Sequence, residues 1–444
     1  MKKMPDYNFD LIVVGEIVND ILRFSNGNVI KRPGGVFYSS LIANSFGLKT
    51  GIIGTSGDKK NEFYDELETI GIDFSGVSPN KNYCDEYELV NVNEILPQIL
   101  QTGPNVSQNR LIFPNYFLRS KAVLFYPIKE INKMIEIAKI VKENKGLVCF
   151  DLQHDIQNIE FISEFLNFVD ILFGSREELL EITKFTNDGD VVNYFFNYGV
   201  NLIIIKYGLG GSTIYSKNNS YIRIPAFLAN YKCTIGAGDV YNGSFIYYFL
   251  NRYPIEECGE KAALTSSIFS ERISFPHNSE INNDILIREK NIRTPIVAHP
   301  QDLRNIKIYL AGHFLSQPTR TWVDEITYIL ESRGFTVFNP YRDVGILTEN
   351  SSIQEQIDFF ENDINAILSS DLIIALLDCC GRGGVFWEMG YGFCKNIPTF
   401  ALLTDNQTPI SNMIINSVKT IYPDISHLLN GIFEFSSDLL MKKK

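Results

Sequence analysis

Thr234-Ile235-Gly236-Ala237-Gly238-Asp239 stands directly before Val240–Leu250, an apolar stretch of helical pattern that stops short of Pro254. The fold is read from this junction. Small residues let the backbone approach a phosphate closely, and successive N–H groups at a helix N-terminus stabilise charge on a transferred group. Asp239, at the mouth of the helix, is placed to take the proton from an attacking hydroxyl. The string by itself also fits a Gly-rich turn in which Asp239 is an N-cap.

Upstream, short apolar runs alternate with charged amphipathic stretches. Leu11–Val14, Gly51–Gly54, Lys121–Tyr126, Leu147–Asp151, Ile171–Phe173 and Leu202–Lys206 read as strands. Val36–Phe46, closed by Gly47, and Glu62–Ile70, closed by Gly71, read as helices. This pattern predicts a mostly parallel sheet with helices on both faces. It fades after Ser274, and Arg288–Asn305, with Pro295, Pro300 and many charges, reads as a linker. Alternation restarts at Ile306–Ala311 and continues through the helix Thr319–Arg333, the strand Thr336–Phe338, the helix Ile353–Leu368, the strand Leu372–Leu377, the helix Val385–Cys394 and the strand Thr399–Leu403. The expectation is two doubly wound α/β domains over residues 1–285 and 305–444, joined by a linker at 286–304.

In this order the first set of residues resembles the GAGD signature of the ribokinase-like (PfkB) family of sugar and nucleoside kinases, over roughly residues 8–285. The resemblance includes Gly15 with Asp20, Gly34-Gly35, Gly47, the Gly51–Asp58 segment, Asp151 after a central strand, Glu178 in an SxxE stretch, and Lys206-Tyr207-Gly208 with Gly211. It implies a ribokinase-like fold that uses ATP and Mg²⁺, without a metal cage built from protein ligands. It implies Asp239 as the general base. Thr234, Gly236, Ala237, Gly238, Glu178, Lys206 and Gly208 would surround ATP and its phosphates. Asp20, Gly34, Gly35, Ser39 and Asp151 would face the acceptor. The family often has Asn where this chain has Ser39 and Ser175, and Asp where it has Cys233. The first departure touches the sugar contact, the second the Mg²⁺ and phosphate region, the third the anchoring of the loop.

A second constellation lies toward the C-terminus. Ile308–Phe314 reads as a strand and tight turn, Asp363 sits on the long helix, and the Gly-rich Asp378–Gly384 precedes Trp387-Glu388-Met389-Gly390. A carboxylate at Glu388 can attack an anomeric carbon through an oxocarbenium-like transition state, with Asp363 orienting it or shuttling protons to the leaving base. Spacing alone favours Glu388 as a helix-dipole partner and Asp363 as a surface charge. The order of features resembles the nucleoside 2-deoxyribosyltransferases and their N-glycosidase relatives over about residues 305–415, which implies a flavodoxin-like or Rossmann-like fold. By that resemblance Glu388 is the nucleophile, Asp363 its partner, and Tyr309 a positioning hydroxyl. Asn412 matches an Asn that reaches a neighbouring subunit's site, implying a homo-oligomer. Many transferases carry an acid where this chain has Arg382. Arg382, with Ser316, Thr319 and Arg320, can receive a phosphate.

Composition bounds the rest. The 444 residues carry 40 Lys+Arg against 52 Asp+Glu, a net charge of −12, which argues against a dedicated nucleic-acid binder. Seven scattered cysteines with no CxxC pair fit a reducing compartment. Five histidines, none at ligand spacing, argue against zinc. The apolar runs are of core-strand length, and the start of the chain does not read as a signal peptide, so a cytoplasmic protein away from membranes is expected. The joint expectation is a bifunctional enzyme of nucleoside or nucleotide metabolism acting on small molecules. One site phosphorylates a sugar or nucleoside hydroxyl, and the other cleaves or transfers at an N-glycosidic bond. The alternative is a nucleotide-sensing effector whose kinase fold binds without turnover and whose C-terminal domain hydrolyses NAD or nucleotides.

Overall fold

The computed structural model describes residues 7–24, 27–57, 70–80, 86–90, 98–102, 111–128, 130–153, 156, 158–218, 220–273, 281–314, 317–347, 351–377, 383–404 and 410–443. The chain forms two compact units, Met1–Pro295 and Ile296–Lys444. No described helix is long and apolar enough to cross a membrane.

In the first unit, β1 (Phe9–Glu16) sets the pattern. Its side chains alternate, so Leu11 and Val13 join one buried cluster while Ile12 and Val14 join another on the opposite face. A strand apolar on both faces belongs in the middle of a covered sheet. The remaining elements are β2 (Asn19–Arg23), β3 (Val29–Pro33), α1 (Val36–Ser45), β4 (Thr50–Gly57), β5 (Asp73–Asn80), β6 (Glu86–Val90), β7 (Gln98–Thr102), β8 (Ser120–Phe125), α2 (Ile131–Glu143), β9 (Leu147–Leu152), β10 (Ile171–Ser175), α3 (Arg176–Thr183), α4 (Asp188–Asn197), β11 (Leu202–Lys206), β12 (Ser212–Ser216), β13 (Tyr221–Ile224), α5 (Ala237–Leu250), α6 (Ile255–Ser270) and α7 (Asn283–Ile292). Nine strands form the main sheet in the order β13-β12-β11-β10-β9-β8-β1-β4-β5. Pairing is parallel from β11 to β5 and antiparallel at β12 and β13.

A second sheet, β3-β2-β6-β7, was not legible in the sequence. Its four strands are each five residues long, and two carry Asn19-Asp20 and Lys31-Arg32 where periodicity would want apolar residues. The segment expected to link the domains also differs from its sequence reading. Its residues 286–292 belong to α7, where Asn282 accepts from the Ile285 amide at 3.1 Å and Leu286 is buried in the core shared with α5 and α6. Charges hid two adjacent apolar residues that suffice to dock a short helix. Most of the helix expected at Glu62–Ile70 lies outside the described residues.

The second unit continues with β14 (Lys307–Ala311), α8 (Gln317–Ser332), β15 (Thr336–Phe338), α9 (Ile353–Leu368), β16 (Leu372–Leu377), α10 (Gly383–Cys394), β17 (Thr399–Leu403), α11 (Asn412–Ser417), β18 (Thr420–Tyr422) and α12 (Ile425–Lys443). Its five strands are all parallel, in the order β15-β14-β16-β17-β18. Counted within the unit this is 2-1-3-4-5, the flavodoxin-like winding, whose crevice opens where the order reverses between its first and third strands. Tyr309 lies on the first of these, and the helix bearing Glu388 follows the third.

Candidate active sites

In the first unit the loop before α5 is held by backbone geometry. Gly236 has φ +83°, and a Cβ there would stand 2.6 Å from the Tyr38 ring, so both conformation and space require glycine. The Ala237 amide bonds to the Thr234 carbonyl at 3.1 Å. The next amides, of Gly238 and Asp239, have no carbonyl within the helix to bond and point out of its N-terminus. Gly236→Ala is therefore expected to destabilise this unit by about 1–3 kcal/mol, as strained backbone does. It should also impair any phosphate chemistry at the loop. A thermal melt with a turnover assay checks both.

Asp239 is half-buried on the first turn of α5, with Gln153 Nε2 3.5 Å from its carboxylate. Beneath it lies a buried network. Lys206 Nζ is 3.2 Å from Asp151 Oδ1 and 3.3 Å from Asn242 Oδ1, and Asn242 donates to Asp151 Oδ2 at 2.8 Å. Burial works against the Lys206 ammonium, but Asp151, Glu178 and Asp239 outweigh it and hold Lys206 above its ordinary pKa. Burial and then the Asp151 carboxylate push Asp239 up to about 8, while Lys206 and the Tyr126 hydroxyl pull it down. A carboxyl so raised is suited to accept a proton near neutral pH.

The residues expected toward the acceptor fall into two groups. Asp20 on β2 is buried, accepts a hydrogen bond from the Tyr38 hydroxyl, and is raised to about 6, chiefly by burial. A Cβ on Gly34 would stand 2.4 Å from Asp20 Oδ1, and one on Gly35, with φ +61°, would stand 2.5 Å from the Glu16 carbonyl. These glycines make room for Asp20 and the turn. Ser39 lies deeper. It is fully buried, accepts from Tyr126 at 3.1 Å, and thus supports the site from behind. Asp151 is likewise buried, with Lys206 3.2 Å from its carboxylate.

Glu178 is tied back. Its carboxylate accepts from the Ser175 amide at 2.8 Å while Ser175 Oγ accepts from the Glu178 amide at 3.2 Å, a capping box on α3. Ser175 pairs with Lys206 across β10 and β11, so this box borders the buried network. Gly208, exposed and at φ +56°, opens a short turn after β11. Among the described residues no cluster of three or more His, Cys, Asp or Glu is placed to hold a metal. The donor set, one half-buried Asp and a Glu partly used in a cap, fits a cation carried in by phosphates and water. Sequence reasoning missed Asn242, Tyr126, Tyr38 and Arg32. Asn242 was findable, because it stands one helical turn after Asp239 and a polar residue there faces the same side.

In the second unit Tyr309, Asp363 and Glu388 come together. Tyr309 is fully buried, and burial followed by the Glu388 and Asp363 charges drives its hydroxyl far above the ordinary pKa. Glu388 rises to about 8 by burial and then by Asp363, and the Tyr309 hydroxyl partly offsets this. Asp363 rises to about 6 by burial, and its Oδ1 is buried without a partner among the described atoms. Glu388 sits in the second turn of α10 and Asp363 is half-buried on α9, so neither the helix-dipole role nor the surface-charge role describes them. Beside them Trp387, 49% exposed, stacks on Tyr391 at 5.2 Å and meets Phe360 at 5.7 Å. His313 Nδ1 lies 3.2 Å from Thr319 Oγ1. Arg320 donates to the Phe314 carbonyl at 3.3 Å and covers the Tyr341 ring. Asn412 is exposed at the start of α11. Ser316 and Arg382 lie outside the described residues.

The comparisons agree with this division. Residues 8–274, more than half of the chain, match the pfkB family carbohydrate kinases, and the chain belongs to that family. Residues 308–425 match nucleoside 2-deoxyribosyltransferase, so the C-terminal unit carries a domain of that kind. The chain is 28% identical to a 5-dehydro-2-deoxygluconokinase of Clostridium perfringens over 250 residues, covering 50% of this chain and 73% of that protein. It is 24% identical to a cytidine kinase of Thermococcus kodakarensis over 262 residues, covering 56% and 91%. Two solved structures share the fold. Arabidopsis thaliana ribokinase complexed with ribose and ATP gives a TM-score of 0.53 at 19% identity, over 65% of this chain and 99% of that one. A ribokinase II from E. coli in complex with ATP and Mg²⁺ gives 0.54 at 17%, over 64% and 99%. The fold of the first unit is ribokinase-like.

Proposed function

We propose that the chain is a bifunctional enzyme that phosphorylates a sugar or nucleoside hydroxyl at its first site and cleaves or transfers at an N-glycosidic bond at its second. The observation that carries the first half is Asp239 on the first turn of α5, above the buried Asp151–Lys206–Asn242 network. The Gly238 and Asp239 amides receive charge on the transferred group. Asp239 takes the acceptor hydroxyl's proton, and the Lys206 ammonium beneath favours the carboxylate form needed for this. ATP with Mg²⁺, the proposed donor, supplies the phosphoryl group.

At the second site Glu388 attacks the anomeric carbon, Asp363 passes a proton toward the leaving base, and Tyr309 fixes the Glu388 carboxyl. The buried gathering of the three supports this reading. Arg382, by its place in the sequence, is the proposed phosphate ligand that makes a nucleotide the preferred substrate. The two reactions then run in sequence, phosphorylation first and base removal from the product second. Asn412 is proposed to complete a neighbouring copy's site in a homo-oligomer.

The test supplies ATP and Mg²⁺ with ribose, cytidine or 5-dehydro-2-deoxygluconate, and separately a panel of nucleotides and nucleosides. Mass spectrometry follows sugar phosphate, nucleotide and free base. EDTA should stop phosphorylation and spare base release from preformed substrate, because only the first chemistry needs a cation on the phosphates. Loss of base release in EDTA contradicts the assignment of the second site. Nucleotide binding without phosphorylation, together with NAD breakdown, would favour the sensing effector.

A further inference from the structure

Arg32, on β3, is 3% exposed, and a buried guanidinium is costly unless its donors and faces are engaged. Nη1 donates to the Ile273 carbonyl at 2.8 Å, just beyond α6. Nη2 donates to the Ile235 carbonyl at 2.9 Å and lies 3.5 Å from Cys233 Sγ. The guanidinium stands 5.1 Å from the centre of the Tyr38 ring and 5.9 Å from that of Phe269. Tyr38 in turn donates to Asp20, which is paired with Arg32 across β2 and β3. One side chain thus gathers the small sheet, α1, the segment after α6 and the loop that opens α5. Ile235 is the residue before Gly236, where an added Cβ would stand 2.6 Å from the Tyr38 ring.

We propose that Arg32 is a positioning residue that couples the four-stranded sheet to the phosphate loop, so that the strand bearing Asp20 and the amides of Gly238 and Asp239 hold one fixed register. The coupling stands on contacts alone, and its catalytic consequence rests on the kinase reading. A planar fork with two Nη groups reaches two carbonyls on separate segments, which a single ammonium at that position cannot do. The positive charge of Lys is therefore not a sufficient replacement.

The test compares the full chain with Arg32→Lys and Arg32→Met by hydrogen exchange. Peptides over 234–239 should exchange at least ~10-fold faster in both variants, and peptides over 245–250 should stay unchanged. With whichever of ribose, cytidine or 5-dehydro-2-deoxygluconate the parent phosphorylates, kcat should fall roughly 10- to 100-fold, the scale of a small misplacement. KM for ATP should move less than about threefold, with kcat normalised to the folded fraction of each variant, because a loss of folded protein by itself also lowers apparent kcat at unchanged KM. Unchanged exchange at 234–239, or faster exchange spread evenly over the unit, overturns the proposal. If neither variant folds, the parent chain decides. Segments 19–23 and 234–239 should then open together with the same denaturant dependence, and separate openings refute the coupling. A parent that phosphorylates no probe removes the kinase reading and leaves the exchange result to decide on Arg32.

Discussion

Asp239→Asn should lower ATP-dependent phosphorylation by at least ~10²-fold with the fold intact, since it removes the proposed general base. Asn keeps the shape of the side chain, and Gln153 and Tyr126 still border it. Base release from a supplied nucleotide should be unchanged, because its carboxyls belong to the other compact unit. The pH profile of the parent gives a second reading. Asp239 is raised to about 8, and a base works only when ionised. Phosphorylation should therefore fall as pH drops below about 8, by roughly tenfold per unit on the acid limb. Normal turnover in Asp239→Asn would remove the mechanism.

Glu388→Ala should abolish base release while ATP-dependent phosphorylation persists. The more searching result is a pair of opposite shifts. Glu388 titrates at about 8 because burial and Asp363 disfavour its charge, with Tyr309 in partial opposition. A nucleophilic carboxylate must be ionised, while Asp363, raised to about 6, passes a proton only when it holds one, so base release should follow a bell with an acid and an alkaline limb between about pH 6 and 8. Asp363→Asn removes the like charge and should move that acid limb to lower pH, whatever it does to the maximal rate. Tyr309→Phe removes the hydroxyl that favours the carboxylate and should move it to higher pH. A slow 2-fluoro-2-deoxy nucleoside should leave a sugar-sized mass on the parent protein, because fluorine disfavours the oxocarbenium-like transition state. Shifts in the same direction, or no covalent adduct, would count against Glu388 as nucleophile.

The contrast between legible and hidden parts follows from how each is encoded. Strands such as Leu11–Val14 and Leu372–Leu377 are apolar on both faces, and that local signal announces a covered parallel sheet. Asp239 and Glu388 stand out as candidates in the sequence because Gly-rich strings and chain order surround them. The depth of Ser39 was hidden because sequence places a residue on an element and not how deeply it is buried, and its hydroxyl accepts from Tyr126. Arg32 carries no signal in the sequence, since partners 201 and 241 residues away leave no local trace. The small sheet escaped for a similar reason, because its pairing of β2 with β6 crosses a long stretch of chain.

The aromatic pair beside Glu388 has a further use. The chain has two tryptophans, Trp322 and Trp387, and both fall within Ile296–Lys444. Indole fluorescence excited at long wavelength therefore reports the second unit alone, while circular dichroism reports both. Two-state behaviour is not assured for a two-unit chain, and a single melting midpoint would conceal which part had opened. Here the emission trace separates them without added label. Trp387, stacked on Tyr391 one residue from Glu388, also places an intrinsic optical signal beside that carboxyl.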